Sequence, residues 1–329
     1  MTGRSLAPMD LANLDPSQVL RQTILGMSRN DQLRSVIEKA PVSRDIVRRF
    51  VGGVSSEDAV RTATELVDTR RLVTIDYLGE DTLDPAQAAS TRDAYLDLLE
   101  HLADAGLTAD GTVEVSLKLS ALGQALGRDG NRIALDNARA ICQAAANAGT
   151  TVTLDMEDHT TTDLTLSVLR DLRQDWPWVG AVLQSYLYRT EQDCRDLAHE
   201  GSRVRLCKGT YKEPESVAFP DKLDVDRSYV RCLKILLEGE GYPMIATHAP
   251  RLVEIATVLA AKAQRAPDSY EFQMLLGIRP EEQLRIASGG ARMRVYLPYG
   301  EEWYGYLMRR MAERPQNLGF FLRGLATKG

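Results

Sequence analysis

The sequence predicts an α/β fold, a distorted (β/α)8 barrel of the TIM type preceded by an N-terminal helical arm. Eight short strand-like runs recur from Leu72 onward, and segments with helical periodicity separate most of them. No GxGxxG follows the first strand, as an open dinucleotide-binding sheet would usually show. Strand–helix alternation implies parallel strands, and eight repeats suit a closed barrel, which takes about 250 residues as one unit. A chain of 329 residues holds that barrel and an arm.

Residues 1–65 read as the arm. Apolar residues fall at helical spacing at Val19, Leu20, Ile24, Leu25 and Met27, and again at Ile46, Val47, Phe50 and Val51. Gly52-Gly53 breaks the pattern, and Ser55-Ser56-Glu57-Asp58 has the composition of a helix cap. Residues 66–329 are assigned to the barrel. Its strands are expected at Leu72–Leu78, Val113–Leu119, Thr151–Met156, Val179–Leu183, Val204–Cys207, Met244–Ala246, Tyr270–Leu275 and Met293–Leu297. Thr91–Ala105, Ile133–Ala148 and Leu252–Ala263 carry the 3.6-residue rhythm of helices, with Gly106 and Gly149 where C-caps belong.

The totals narrow the function. With 44% hydrophobic and 26% charged residues, the chain is an ordinary globular protein. A net charge of −6 and a pI near 5.4 argue against nucleic acid, which calls for a basic face. Cys142, Cys194, Cys207 and Cys232 show no CxxC spacing, so neither a zinc site nor a disulfide framework is expected. The first residues carry Asp10 and Asp15 and no signal-peptide core. The expected location is the cytoplasm, with at most peripheral contact at the inner face of the plasma membrane. LGFFLRGLATKG, residues 318–329, is the candidate interfacial segment.

Unusual polar residues gather at the expected C-terminal strand ends, where barrels of this kind place their active sites. Strand one runs into Asp76-Tyr77-Leu78-Gly79-Glu80, and VEVSLKLS sets Lys118 between two leucines. TVTLDMEDH offers Asp155, Met156, Glu157, Asp158 and His159, and strand four ends on Gln184. RVRLCKGTY brings Arg205 and Lys208, strand six Thr247-His248, strand seven Glu271 and Gln273, and strand eight Tyr296. A charge in an apolar strand is costly unless it is paired or faces a ligand. Each residue alone fits a packing role, but recurrence at seven or eight strand ends favours a ligand site.

In GYLMRRMAERPQN, Arg309 and Arg310 are adjacent on an expected helix, with Glu313 one turn onward. Their side chains diverge by about 100°, so they could grip one carboxylate from two sides. With Lys118 they make an anion-seeking site. Lys208-Gly209-Thr210 has the look of a phosphate cradle. A metal held by Asp155 to His159 ranks lower, because alternate strand residues face opposite ways. A Schiff-base aldolase using Lys118 or Lys208 stays open. So do a metal-dependent hydrolase using Asp155, Asp158, His159 and His248, and a non-enzymatic binding module.

The set SLKLS, TLDMED, RVRLCKGTY, ATH, RVYLPYG and YLMRRMAERPQN, in that order over Ile75 to Asn317, resembles the proline dehydrogenase family. The length is similar to that of its monofunctional bacterial members, without room for the aldehyde dehydrogenase domain or DNA-binding segment of bifunctional ones. The resemblance implies FAD held non-covalently across the C-terminal face. It also implies oxidation of L-proline to pyrroline-5-carboxylate, with hydride passing from proline C5 to flavin N5 and electrons leaving to a membrane quinone.

Carried over by motif, Arg309, Arg310 and Lys118 would bind the proline carboxylate. Glu80 would pair with Arg309, Tyr296 and Tyr211 would pack on the proline ring, and Glu313 would steady Tyr296 or its neighbours. Arg205 would sit by flavin N5, and Asp155 would support Lys118 and the flavin edge beside Met156. Gln184 would bond the flavin ring. Cys207, Lys208, Gly209 and Thr210 would line the FAD chain, with Thr247 and His248 on its adenosine half. A tyrosine at position 296 goes with proline in the family and a smaller residue with hydroxyproline. Lys212 departs from the tryptophan of bifunctional members, which puts their adenine packing in doubt here.

Overall fold

Polar and apolar residues alternate along VEVSL, RVRLC, EFQML and MRVYL, and that alternation decides which face of each turns inward. The structure, a computed structural model, describes the backbone of residues 47–313 and the side chains of residues 47–310. Most of the expected arm (1–46) and the candidate interfacial segment (318–329) lie outside the described residues. The strands are β1 (Leu72–Tyr77), β2 (Val113–Leu117), β3 (Val152–Leu154), β4 (Gly180–Gln184), β5 (Arg203–Cys207), β6 (Tyr242–Ala246), β7 (Glu271–Leu275) and β8 (Met293–Tyr299). They close in sequence order into an eight-stranded parallel barrel, β8 pairing back onto β1 with Thr74 opposite Tyr296.

Helices follow the strands: α1 (Ser56–Val67) before β1, then α2 (Pro85–Asp104), α3 (Gly130–Ala148), α4 (Thr162–Asp175), α5 (Thr190–Leu197), α6 (Lys222–Glu238), α7 (Pro250–Lys262), α8 (Pro280–Ser288) and α9 (Trp303–Glu313). Phe50–Glu301 form one compact unit, and α9 belongs to a second. Local signals set the helix ends. Ser55 caps α1 by accepting from the Asp58 N–H, Asp84 caps α2 ahead of Pro85, and Gly149 closes α3 in the left-handed conformation. Helix α1, placed by the sequence in the arm, belongs to the barrel unit, where Ala59, Ala63 and Leu66 join the core.

Among the described residues, the outer strand residues and the inner helix faces form two large apolar clusters. One packs Val73, Ile75, Val113, Val115, Leu117 and Val295 against Leu98, Leu102, Ile141 and Leu172. The other packs Val204, Leu206, Ile245, Phe272 and Met293 against Tyr229, Leu233, Leu236 and Val253. Full burial of each such side chain is worth about 1.5–3 kcal/mol. Among the described residues, no helix is long and apolar enough to cross a membrane.

Candidate active site

The inward face is charged. Because side chains alternate along a strand, Glu114, Ser116 and Lys118 of the β2 segment rise up the barrel interior while Val113, Val115 and Leu117 face the helices. At the lower level Glu114, fully buried, accepts from Arg203 Nη2 at 2.5 Å, Thr74 Oγ1 at 2.7 Å and Thr151 Oγ1 at 2.7 Å. Arg294 Nε donates to Glu271 Oε1 at 2.7 Å, and its other nitrogens bond the Val73 and Gly111 carbonyls. Burial alone would raise the Glu114 carboxyl. The guanidiniums of Arg203, Arg294 and Arg205 outweigh it and hold the group well below the usual carboxylate range.

Above this plug, Asp155 is the hub. It accepts from Arg205 Nη1 at 2.5 Å, Ser116 Oγ at 2.8 Å and the Tyr296 hydroxyl at 2.6 Å. The Arg205 guanidinium carbon stands 5.3 Å from the Tyr296 ring centroid. Its Nε donates to Gln273 Oε1 at 2.6 Å, and Gln273 spends its own amide hydrogen on Glu271. Lys118 donates to the buried Asp76 at 2.6 Å and lies 3.9 Å from Asp155. Burial pulls the Lys118 ammonium down, but Asp76 and Asp155 outweigh it, so its pKa is raised. Burial, and then Asp155, raise Asp76 against the pull of Lys118. Burial and the Asp155 charge push Tyr296 well above an ordinary phenol. The ion pair with Asp76 favours the cationic form of Lys118, whereas Schiff-base chemistry needs the neutral amine. Lys208, the other candidate, is ion-paired with Asp226.

Most of the remaining sequence-predicted residues sit where β3 to β6 give way to loops. Gln184 is buried and donates to the Glu157 carbonyl at 2.7 Å, and Met156 is buried nearby in sequence. Burial raises the Cys207 thiol to about 11. Thr210 and Tyr211 are exposed on the turn after β5. Thr247 is buried, and His248 Nε2 accepts the Leu275 N–H at 2.9 Å. Glu80 is exposed beyond β1. Arg309 and Arg310 are adjacent on α9, with Arg310 stacked 5.3 Å from the Tyr306 ring centroid. The side chain of Glu313 lies outside the described residues.

Gly209 marks a close approach. Its φ is +107°, and a Cβ there would stand 2.4 Å from the Tyr186 ring. Gly209→Ala is expected to cost about 1–3 kcal/mol through backbone strain and overpacking. A thermal melt checks this, and an unchanged midpoint would mean that the turn does not press on Tyr186.

Asp155, Glu157, Asp158 and His159 do not converge. They bond, respectively, Arg205 and Tyr296, Ser120, Thr160, and Glu213. Among the described residues no group of three His, Cys, Asp or Glu could hold a metal. A groove of about 680 Å³ lies in the helical layer along α4 and α5, and none of the strand-end residues lines it.

Sequence reasoning noted Asp76 at a strand end without giving it a role, and did not single out Glu114, Ser116, Arg294 or Glu213. The first four carry a readable signal, since each alternates with apolar neighbours in its strand. Glu213 carries none, because its partners come from two other loops.

Comparison with known proteins gives the family and agrees with the barrel fold. The sequence profile of the family described as Proline dehydrogenase matches residues 59–323. The chain is 39% identical to proline dehydrogenase 1 of Bacillus subtilis (strain 168) over 310 residues, 94% of this chain and 100% of that one. It is 39% identical to proline dehydrogenase 2 of the same strain, over 87% of this chain and 92% of that one. It is 37% identical to a proline dehydrogenase of Deinococcus radiodurans, over 94% and 98%. Among solved structures, proline utilization A from Bdellovibrio bacteriovorus, inactivated by N-propargylglycine, superposes with a TM-score of 0.78 at 26% identity. That match covers 90% of this chain, which spans only 36% of the larger protein. The strand-end cluster thus lies within the region that the family profile matches, and the chain belongs to the proline dehydrogenase family, oxidoreductases that catalyse proline oxidation, the first step of proline catabolism.

Proposed function

We propose that the strand-end cluster oxidises L-proline to pyrroline-5-carboxylate with FAD as cofactor and a quinone as electron acceptor. The observation that carries this reading is the Asp155–Arg205–Tyr296 cluster, with Arg205 buried and its two partners partly exposed, beside the Lys118–Asp76 pair. The donor set fits a flavin nucleotide. Arg205 and Lys208 are cations suited to a diphosphate and an electron-rich ring edge, and Thr210, Thr247 and His248 add hydrogen-bonding groups on neighbouring strand ends. Gln184 donates one amide hydrogen to the Glu157 carbonyl, and its own carbonyl oxygen would accept from a ring N–H. Met156 and Cys207 supply soft, weakly polar surface.

When bound, FAD supplies the hydride acceptor, its N5, for proline C5 and the onward route of electrons to the quinone. The chain's own residues bind and orient. By the motif resemblance, Lys118, Arg309 and Arg310 would each contribute a cation for the substrate carboxylate, and Tyr296 and Tyr211 would wall the ring. Glu80 and Glu313 steady this set. Asp155 holds Arg205 and Tyr296 in place, so that a fixed positive charge stands where negative charge develops. Hydride loss needs the neutral amine, so the ammonium proton must first pass to solvent; once it has left, positioning does the rest.

An absorption spectrum of the purified protein, recorded anaerobically before and after L-proline, tests the reading. A flavin spectrum that bleaches supports it; a colourless protein that gains neither colour nor activity with added FAD overturns it. Arg310→Met is expected to raise the proline KM roughly 100-fold with flavin content unchanged, as loss of a charged clamp does. Steady-state kinetics check this, and an unaltered KM removes Arg310 from the site. Vesicle co-sedimentation with and without residues 318–329 tests contact at the inner membrane face.

A further inference from the structure

Glu213 is a buried carboxylate that the proposed chemistry does not use. Its side chain is 3% exposed, although the turn that carries it, Lys208 to Glu213, is largely at the surface. It accepts from the His159 backbone N–H at 3.0 Å, from the Tyr186 hydroxyl at 3.0 Å and from His159 Nδ1. Three loops therefore meet on one carboxylate: those after β3, β4 and β5. Tyr186 grips the same turn at three points. Its backbone N–H donates to the Lys208 carbonyl at 2.9 Å, its ring lies against Gly209, and its hydroxyl reaches Glu213. Its carbonyl accepts from Phe219 at 2.8 Å, which ties the far side of the loop down as well. Both ends of the turn are thus fastened to a single, almost fully buried tyrosine.

We propose that Glu213, with Tyr186 and His159, is a positioning clamp that presets the Lys208–Glu213 turn to receive the nucleotide cofactor. The inference rests on the flavin reading above. It assigns a role to residues that touch neither substrate nor reacting atoms. Holding the turn before the cofactor arrives removes the ordering cost from the binding step, so the clamp acts on cofactor affinity.

The test uses full-length holoenzyme. Flavin release is followed by fluorescence, and tryptic cleavage after Lys208 or Lys212 is followed by mass spectrometry. Glu213→Ala is expected to speed both about tenfold, as loss of a charge-assisted hydrogen bond does. Tyr186→Phe, which keeps the ring against Gly209, should have a smaller effect in the same direction. Glu213→Gln keeps an acceptor for Tyr186 and the His159 backbone and should recover most of the wild-type behaviour. A purely structural side chain would lower the melting temperature without this graded recovery. Release and cleavage in Glu213→Ala within twofold of wild type would overturn the clamp. A wild-type protein that carries no flavin and takes up none would instead overturn the cofactor reading, while cleavage would still report on the turn.

Discussion

Replacing Asp155 by asparagine is expected to lower kcat/KM by roughly 100- to 1000-fold, about 3–4 kcal/mol of transition-state stabilisation. The carboxylate takes three donors at once, from Arg205, Tyr296 and Ser116. An amide offers one acceptor oxygen, and its NH2 must face a group that itself donates. The charge also matters. Asp155 and Asp76 together balance Lys118 and Arg205, and removing one partner of a buried pair leaves the other uncompensated. Steady-state kinetics alongside a flavin spectrum and a melt separate the effects. A tenfold or smaller loss with intact flavin would mean that Arg205 and Tyr296 hold their places without this hub.

The second large effect falls on stability. Glu114→Gln leaves Arg203, Arg294 and Arg205 without the anion at their centre. Breaking such a network costs about 3–5 kcal/mol, which for a unit of this size lowers Tm by roughly 6–20 °C. Calorimetry checks the figure, and a shift below about 2 °C would show that Glu271 and Asp155 suffice. The pH dependence has a definite direction. The folded-state pKa of Glu114 lies below its unfolded value, so between the two the unfolded chain binds the extra proton. The contribution is therefore complete above the ordinary carboxylate pKa and declines as pH falls toward the depressed one. The difference in stability between wild type and Glu114→Gln should shrink on strong acidification.

The barrel was legible because its periodicities are local. Alternation placed all eight strands within a few residues, and Gly106 and Gly149 marked helix ends where positive φ is needed. Helix α2 begins six residues before the expected Thr91, because Pro85 and the Asp84 cap start it ahead of any apolar rhythm. The site was legible as a list of unusual residues but not as a network. Lys118 stood out, whereas its partner Asp76 is 42 positions away and is brought near by register between β1 and β2. His248, expected at the cofactor or in a metal site, accepts a β7 backbone N–H. Glu213 was invisible because a loop glutamate in sequence carries no sign of what lies beneath it.

The plug of Glu114, Glu271 and Arg294 makes the barrel a vessel with one mouth. Thr74, Glu114, Thr153, Met244 and Glu271 are wholly sealed from water, so nothing enters or leaves through the floor. In the proposed reaction, substrate, product and any proton shed from the amine would therefore share the rim at the C-terminal strand ends. Turnover there would be a matter of taking turns at one opening, and any group that closed over the substrate would also delay the exit of what it becomes.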